Sequence, residues 1–263
     1  NPRRWRVGPC IAQALIPALL VAAGPATRAQ ATGPLNAITD VPGISVGHAT
    51  GTDSGATVVL AAAASGQGVA GGVTQRGGAP GTRETDLMRP DNMVEIMNAV
   101  VLSGGSSHGL AAASGVMRCL EDRGVGFPVG GGNVVPIVQA AVTMDRATCN
   151  APASSRPDFN SGMQACLAAT GGAVAQGNVG AGTGAVAGGV KGGIGTASVV
   201  LPNGIVVGAL VVVNSEGAPY DAEGNLAAAA LGLGGEFRTL TRASALGRGS
   251  PASVAAGPLR TAT

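Results

Sequence analysis

From Asn36 onward the chain alternates short apolar runs with breaks rich in Gly, Pro and Asn. Runs such as "ATVVLAAAA" (Ala56 to Ala64), "AVVL" (Ala99 to Leu102) and "VVPIVQAAV" (Val134 to Val142) have strand length, which predicts buried or half-buried strands. The clearest hairpin signal is "ASVVLPNGIVVGALVVVN". There Pro202, Asn203 and Gly204 supply turn chemistry between two β-branched runs, the second ending at Asn214. Helical patterning is rarer. Asp91 is placed to cap a helix over "NMVEIMNA", and "GLAAASGVMRCLEDRG" predicts a helix from Gly109 to a stop at Gly124. Arg118 and Arg123 lie near the negative end of that helix dipole. A third helix is predicted over "SGMQACLAAT", Ser161 to Thr170. Hairpins and helices in blocks, without a regular βαβ repeat, argue for sheets covered on the outside by helices.

Composition narrows this picture. With 263 residues and 45% hydrophobic content the chain can bury one sizeable core. Only 2% of residues are aromatic and 45 are Gly, so that core is built from Ala, Val, Leu and Ile around closely spaced backbones. The net charge of +2 comes from Arg spread thinly along the chain, which excludes a basic stripe for nucleic acid.

The two ends read differently from the middle. Residues 1–31 carry a positive start at Arg3, Arg4 and Arg6, an apolar stretch from Ile11 to Gly24, and a small-x-small site at Ala29-Gln30-Ala31. This is the pattern of a cleaved signal peptide, implying a periplasmic or secreted protein with no stable membrane span after cleavage. The apolar stretch is too short for an anchor and is broken by Gln13 and Pro17. Export would bring Cys119, Cys149 and Cys166 into an oxidising compartment. Cys149 with Cys166 is the first pair expected, closing a polar loop, with buried inert thiols as the alternative. No Cys/His spacing suggests a zinc site. Over residues 237–263 every charged side chain is an arginine, and the segment reads as a loop or a mistranslated tail.

Conventional catalytic motifs fail one by one. The stretch "GAGTGAVAGGVKGGIGTA", Gly180 to Ala197, is not a phosphate loop, because its Lys191 stands between Val190 and Gly192 instead of Gly and Ser/Thr. The spacing Gly180-x-Gly182-x-x-Ala185 lacks the acidic residue that a dinucleotide site needs about twenty positions on. Its glycines instead suit positive φ and close passage of backbones. Lys191 is the single lysine among sixteen cationic side chains. It signals a need for a compact, tunable ammonium, unless it is one surviving surface Lys in an arginine-rich chain. His108 in "SGGSSHG" (Ser103 to Gly109) fits either part of a Ser/His/acid triad or a Gly-rich turn whose hydroxyls cap the next helix. Arg83, Glu84, Asp86 and Arg89 alternate in sign and read as a self-paired loop.

The segments "NAITDVPGISVGHAT", "VTQRGGAPGTRETDLMRPDNMVEIMNAVVLSGGSSHGLAAASGVMRCLEDRGVGFPVG", "KGGIGTASV" and "VGALVVVNSEG" together resemble the DmpA-type L-aminopeptidase/D-esterase family. That family of N-terminal-nucleophile peptidases includes β-peptidyl aminopeptidases and the nylon-oligomer hydrolase. The resemblance runs from Asn36 to about Glu236, over residues 36–236, and implies an α/β fold of the αββα sandwich type, incomplete at the C-terminus. It also implies a self-processing hydrolase acting on small peptides, amides or esters, with no metal or cofactor, assembled as a homo-oligomer when complete. The nucleophile would be a Ser or Thr freed by cleavage of the precursor, its own α-amine serving as base. Carried onto this chain, Lys191 and Asn214 match the family's active-site Lys and Asn. Lys191 would orient or stabilise the nucleophile, and the Asn214 amide would donate to the oxyanion. Met144 stands near where some members carry a substrate-positioning aromatic residue. No Ser or Thr heading a strand of the form "VVATDA" occurs, so the sequence reads as the larger (α) portion, with a frameshift or truncation after Glu236. Two alternatives follow: a catalytically inactive α portion lacking the nucleophile, or a periplasmic binding protein that keeps the pocket alone.

Overall fold

The computed structural model describes residues 31–62, 68–145, 148, 151–187, 190–215, 217, 219, 220, 225 and 226. The stretch before Ala31 expected to be a signal peptide, Cys149 and the arginine-only tail lie outside these residues. The first nine strands in chain order are β1 (Ile44–Thr50), β2 (Gly55–Ala61), β3 (Val69–Ala70), β4 (Thr82–Arg83), β5 (Ile96–Met97), β6 (Ala99–Ser103), β7 (Phe127–Gly130), β8 (Asn133–Val135) and β9 (Val138–Val142). The main element is a five-stranded sheet in the order β1-β2-β6-β9-β4. All pairings are antiparallel except β6 with β9, whose parallel register (Val101 beside Ala140) requires a crossover. Helix α1 (Ala112–Glu121) lies in that crossover.

One face of the sheet packs on α1 and on α2 (Phe159–Leu167). Ala56 and Val58 of β2, Ala99 and Val101 of β6, and Val138 and Ala140 of β9 alternate onto this face, where they meet Ala113, Val116 and Leu120. The other face meets the hairpin β12 (Ile194–Val200) and β13 (Val206–Val212). There Leu102 and Ala141 face Leu210 and Val212 across the layer. Covered on both sides, β2 is buried at six of its seven positions, which explains why its sequence is a continuous apolar run and not an alternating one. Helices, sheet and hairpin form a three-layer αββ arrangement, with Val207 and Val211 on the outer side of β13 about half exposed.

The core is made of small residues, so the helices approach closely. A Cβ on Gly162 would lie within 2 Å of the Ala112 carbonyl oxygen, and one on Gly115 equally close to that of Phe159. The crossing brings Cys119 and Cys166 together, and they form a disulfide across 47 residues with both sulfurs buried. Cys166 therefore pairs with Cys119 and not, as expected, with Cys149. Packing of two distant helix faces chose the partner, where loop proximity in sequence had suggested the nearer one.

Several local expectations hold and others are corrected. The Pro202-Asn203-Gly204 turn joins β12 to β13 in register, with Gly204 at φ +84°. The third helix is shifted, starting at Phe159 behind Asp158. The Asp158 carboxylate accepts Ser161 N–H at 2.9 Å, which with its other hydrogen bonds holds that carboxyl below its usual range. No helix forms over "NMVEIMNA". Ile96–Met97 pairs with Val69–Ala70 as a short strand, and the buried Asn98 accepts Ile137 N–H at 2.8 Å. Sheet pairing outweighs the capping signal of Asp91. The run Val134 to Val142 is two strands, because Pro136 ends β8 (Asn133–Val135) before β9 begins. No helix among the described residues is long and apolar enough to cross a membrane.

Candidate active site

The glycine-rich stretch docks on the main sheet before it reaches Lys191. A turn over Gly180–Gly182 sits against β1 and β2. There Gly180 N–H donates to Thr50 Oγ1 at 2.9 Å and Ala181 N–H to Thr57 Oγ1 at 3.0 Å. Gly180 has φ +51°, and a Cβ there would lie 2.2 Å from Thr57 Oγ1, so only glycine fits. His48 completes this anchor through an Nδ1–Thr57 Oγ1 hydrogen bond of 2.9 Å. Burial pushes its imidazole below the ordinary histidine value. The chain then forms β10 (Val186–Ala187) and β11 (Val190–Lys191), with Lys191 opposite Val186 and exposed. Gly192 N–H closes the hairpin on the Ala185 carbonyl at 2.7 Å, and Asn178 Nδ2 donates to the Gly192 carbonyl at 2.7 Å.

Asn214 follows β13. Val213 N–H donates to the Gly193 carbonyl at 3.1 Å, continuing the β12–β13 pairing. Lys191 precedes β12 and Asn214 follows β13, so the antiparallel register brings both sequence-predicted residues to the same end of one hairpin. Asn214 also reaches the main sheet, because its Oδ1 accepts Met144 N–H at 3.0 Å. Beside it lies a cavity of about 210 Å³, lined by Leu102, Ala141, Thr143, Leu210, Val212 and Asn214 itself. Thr143 Oγ1 is buried there with no hydrogen-bond partner among the described residues. An apolar pocket with an amide and a hydroxyl at its wall suits a small organic group that carries one or two polar atoms.

The histidines are elsewhere. His48 supports the Gly180 turn, His108 is exposed on a 3-10 segment, and neither has a carboxylate partner among the described residues. The triad reading of "SGGSSHG" therefore falls. The segment is the Gly-rich turn, with Gly105 at φ +79° and Ser106 at φ +56°, but no side-chain hydroxyl caps the helix behind it. The self-paired loop is also corrected. Arg83 donates to Ser114 Oγ at 2.8 Å on α1, and Arg89 pairs with Asp91 at 3.3 Å. Sequence reasoning missed Asp145 and Ser54. The buried Asp145 carboxyl accepts Ser54 Oγ–H and, at 2.9 Å, Gly105 N–H. Their separation of 91 positions left no local signal.

In sequence and fold the chain is similar to known peptidases. The model of peptidase family S58 matches residues 36–256. An uncharacterized aminopeptidase of Mycobacterium leprae is 48% identical over 205 residues, covering 72% of this chain and 55% of that protein. One of Mycobacterium tuberculosis is 48% identical over 197 residues, covering 71% and 55%. This chain thus spans about half the length of the curated relatives it matches. Among solved structures, a β-aminopeptidase of a Burkholderia species superposes with a TM-score of 0.58 at 27% identity, covering 72% of this chain and 54% of that one. The L-aminopeptidase D-Ala-esterase/amidase of Ochrobactrum anthropi, described as a variant of the Ntn hydrolase fold, gives 0.59 at 27% identity, covering 72% and 55%. With a family match over most of its length, and with the layered fold of the two enzymes, the chain belongs to peptidase family S58.

Proposed function

We propose that this protein is an exported, self-processing aminopeptidase/amidohydrolase of the DmpA type, acting on small peptides, amides or esters, with Lys191 and Asn214 in its active site. The observation that carries the reading is the Met144–Asn214 hydrogen bond. With Oδ1 held by the Met144 N–H, the plane of the amide is set, and an oxyanion donor needs that kind of preorganisation.

In this reading a Ser or Thr with a free α-amine attacks the substrate carbonyl, its hydroxyl proton passing to that amine. The carbonyl oxygen becomes an oxyanion that accepts from Asn214 Nδ2, while the Lys191 ammonium steadies the nucleophile's oxygen. Collapse breaks the C–N bond, and the leaving amine recovers the proton from the α-amine. Water then hydrolyses the acyl ester. The small apolar cavity beside Asn214 supports a substrate with a short side chain. The Cys119–Cys166 disulfide supports export, since such bonds persist in oxidising compartments. The exposed valines on β13 support assembly into a homo-oligomer.

The test is release of p-nitroaniline from a small amino acid p-nitroanilide by the complete protein. Loss of roughly 100-fold or more in kcat on Asn214→Ala is the expected result. Turnover unaffected by that change overturns the assignment.

A further inference from the structure

We propose that Asp145 is a positioning residue for the Asn214 amide, acting through the backbone of Met144. The inference rests on the active-site reading above for its consequence in catalysis, but not for its geometry. Met144 N–H is a donor to Asn214 Oδ1, so the position of the Met144 backbone bears directly on the orientation of the Asn214 amide. On one side of Met144 the chain is held by the sheet. Thr143 N–H donates to the Ser103 carbonyl at 2.8 Å, and the Thr143 carbonyl accepts Ser106 N–H at 2.9 Å. On the other side it is held by the Asp145 carboxyl, 6% exposed, which takes Gly105 N–H on one oxygen and the Ser54 hydroxyl on the other.

The space around that carboxyl is closed. A Cβ on Gly104 would lie 2.2 Å from Ser54 Oγ and nearer still to Asp145 Oδ2, and one on Gly184 would lie 2.7 Å from the same oxygen. Segments before β2, after β6 and before β10 therefore converge on one side chain, and that side chain belongs to the residue next to Met144. A carboxyl with both oxygens engaged in a closed, buried site has one available orientation, which is the property that a preorganised oxyanion donor requires of its support.

The test uses ¹⁵N-labelled full chain and follows hydrogen exchange at Met144 N–H together with the Asn214 side-chain NH₂ signals. Asn214→Ala is the reference and should raise Met144 exchange at least tenfold by removing its acceptor. Asp145→Asn, and Ser54→Ala, which removes one bond without adding atoms to the site, should each raise Met144 exchange several-fold and shift the Asn214 NH₂ pair. Thr143 N–H and Val213 N–H should stay within twofold of wild type. The proposal is overturned if both variants leave the Met144 and Asn214 signals unchanged. It is equally overturned if they lower protection uniformly across the sheet, the signature of a merely structural role. Where Asp145→Asn fails to fold, Ser54→Ala decides. In turnover assays the expected signature is a lower kcat at unchanged KM. Turnover insensitive to Asn214→Ala, alongside the exchange pattern above, would remove the active-site reading and leave the positioning intact. Turnover that Asn214→Ala abolishes and Asp145→Asn does not touch would do the reverse.

Discussion

The backbone N–H of Met144 donates to Oδ1 of Asn214 at 3.0 Å, tying the end of the central sheet to the end of the outer hairpin. The oxygen of this amide holds the layers together, and the proposed function assigns its nitrogen to the oxyanion. Asn214→Asp keeps the acceptor and removes the donor. It should therefore keep the thermal midpoint of the wild type while losing about 100-fold or more in kcat. Asn214→Ala should lose both. A calorimetric scan beside the turnover assay checks the pair, and equal destabilisation by the two variants would contradict the division.

The disulfide joins α1 to α2 across 47 residues. A loop of that length, closed in the unfolded chain, is worth about 2–4 kcal/mol. Replacing both Cys119 and Cys166 by Ala should lower the unfolding free energy by about that much in urea titrations. Reductant should destabilise the wild type and leave the double variant unchanged.

Acid should weaken the fold in two windows. Burial holds His48 below its ordinary value, so its contribution to stability is complete above about pH 6.5 and is lost as pH falls through the lowered folded value. The Ser198 hydroxyl, donating to Asp40 at 2.6 Å, holds that carboxyl below its usual range. Its contribution is complete above about pH 4 and is lost on further acidification. The thermal midpoint should decline below about pH 6.5 and again below about pH 4. His48→Gln should remove the first decline and keep the second.

Two glycines at positive φ separate backbone strain from collision. Gly204 has φ +84° with open space around its missing Cβ, whereas Gly180 has φ +51° and Thr57 Oγ1 2.2 Å from that point. Gly204→Ala should cost about 1 kcal/mol from conformation alone. Gly180→Ala should cost more, since it also displaces the anchor of the turn that leads to Lys191, and denaturant titration of the two variants ranks them.

What could be read from sequence was local. The β12–β13 hairpin is written in Pro202-Asn203-Gly204 and its β-branched flanks, and the end of α1 in Gly124. Lys191 stood out as the single lysine, and Asn214 through its resemblance to a family motif. The features that escaped depend on partners far away in the chain. Asp91 offers a good cap, yet the residues after it are claimed by a strand pairing with Val69–Ala70. Cys166 meets Cys119 because two helices cross at glycines. Asp145 and Ser54 are unremarkable in their own segments and become a buried pair only when β2, β6 and β9 lie side by side.

The most direct test of the account is the rate of p-nitroaniline release from an alanine p-nitroanilide by the complete protein, set beside Lys191→Ala and Asn214→Ala. The account predicts measurable turnover by the wild type, falling about 100-fold or more in each variant with the fold retained. Variants as active as the wild type, or no release by correctly folded complete protein, would contradict it.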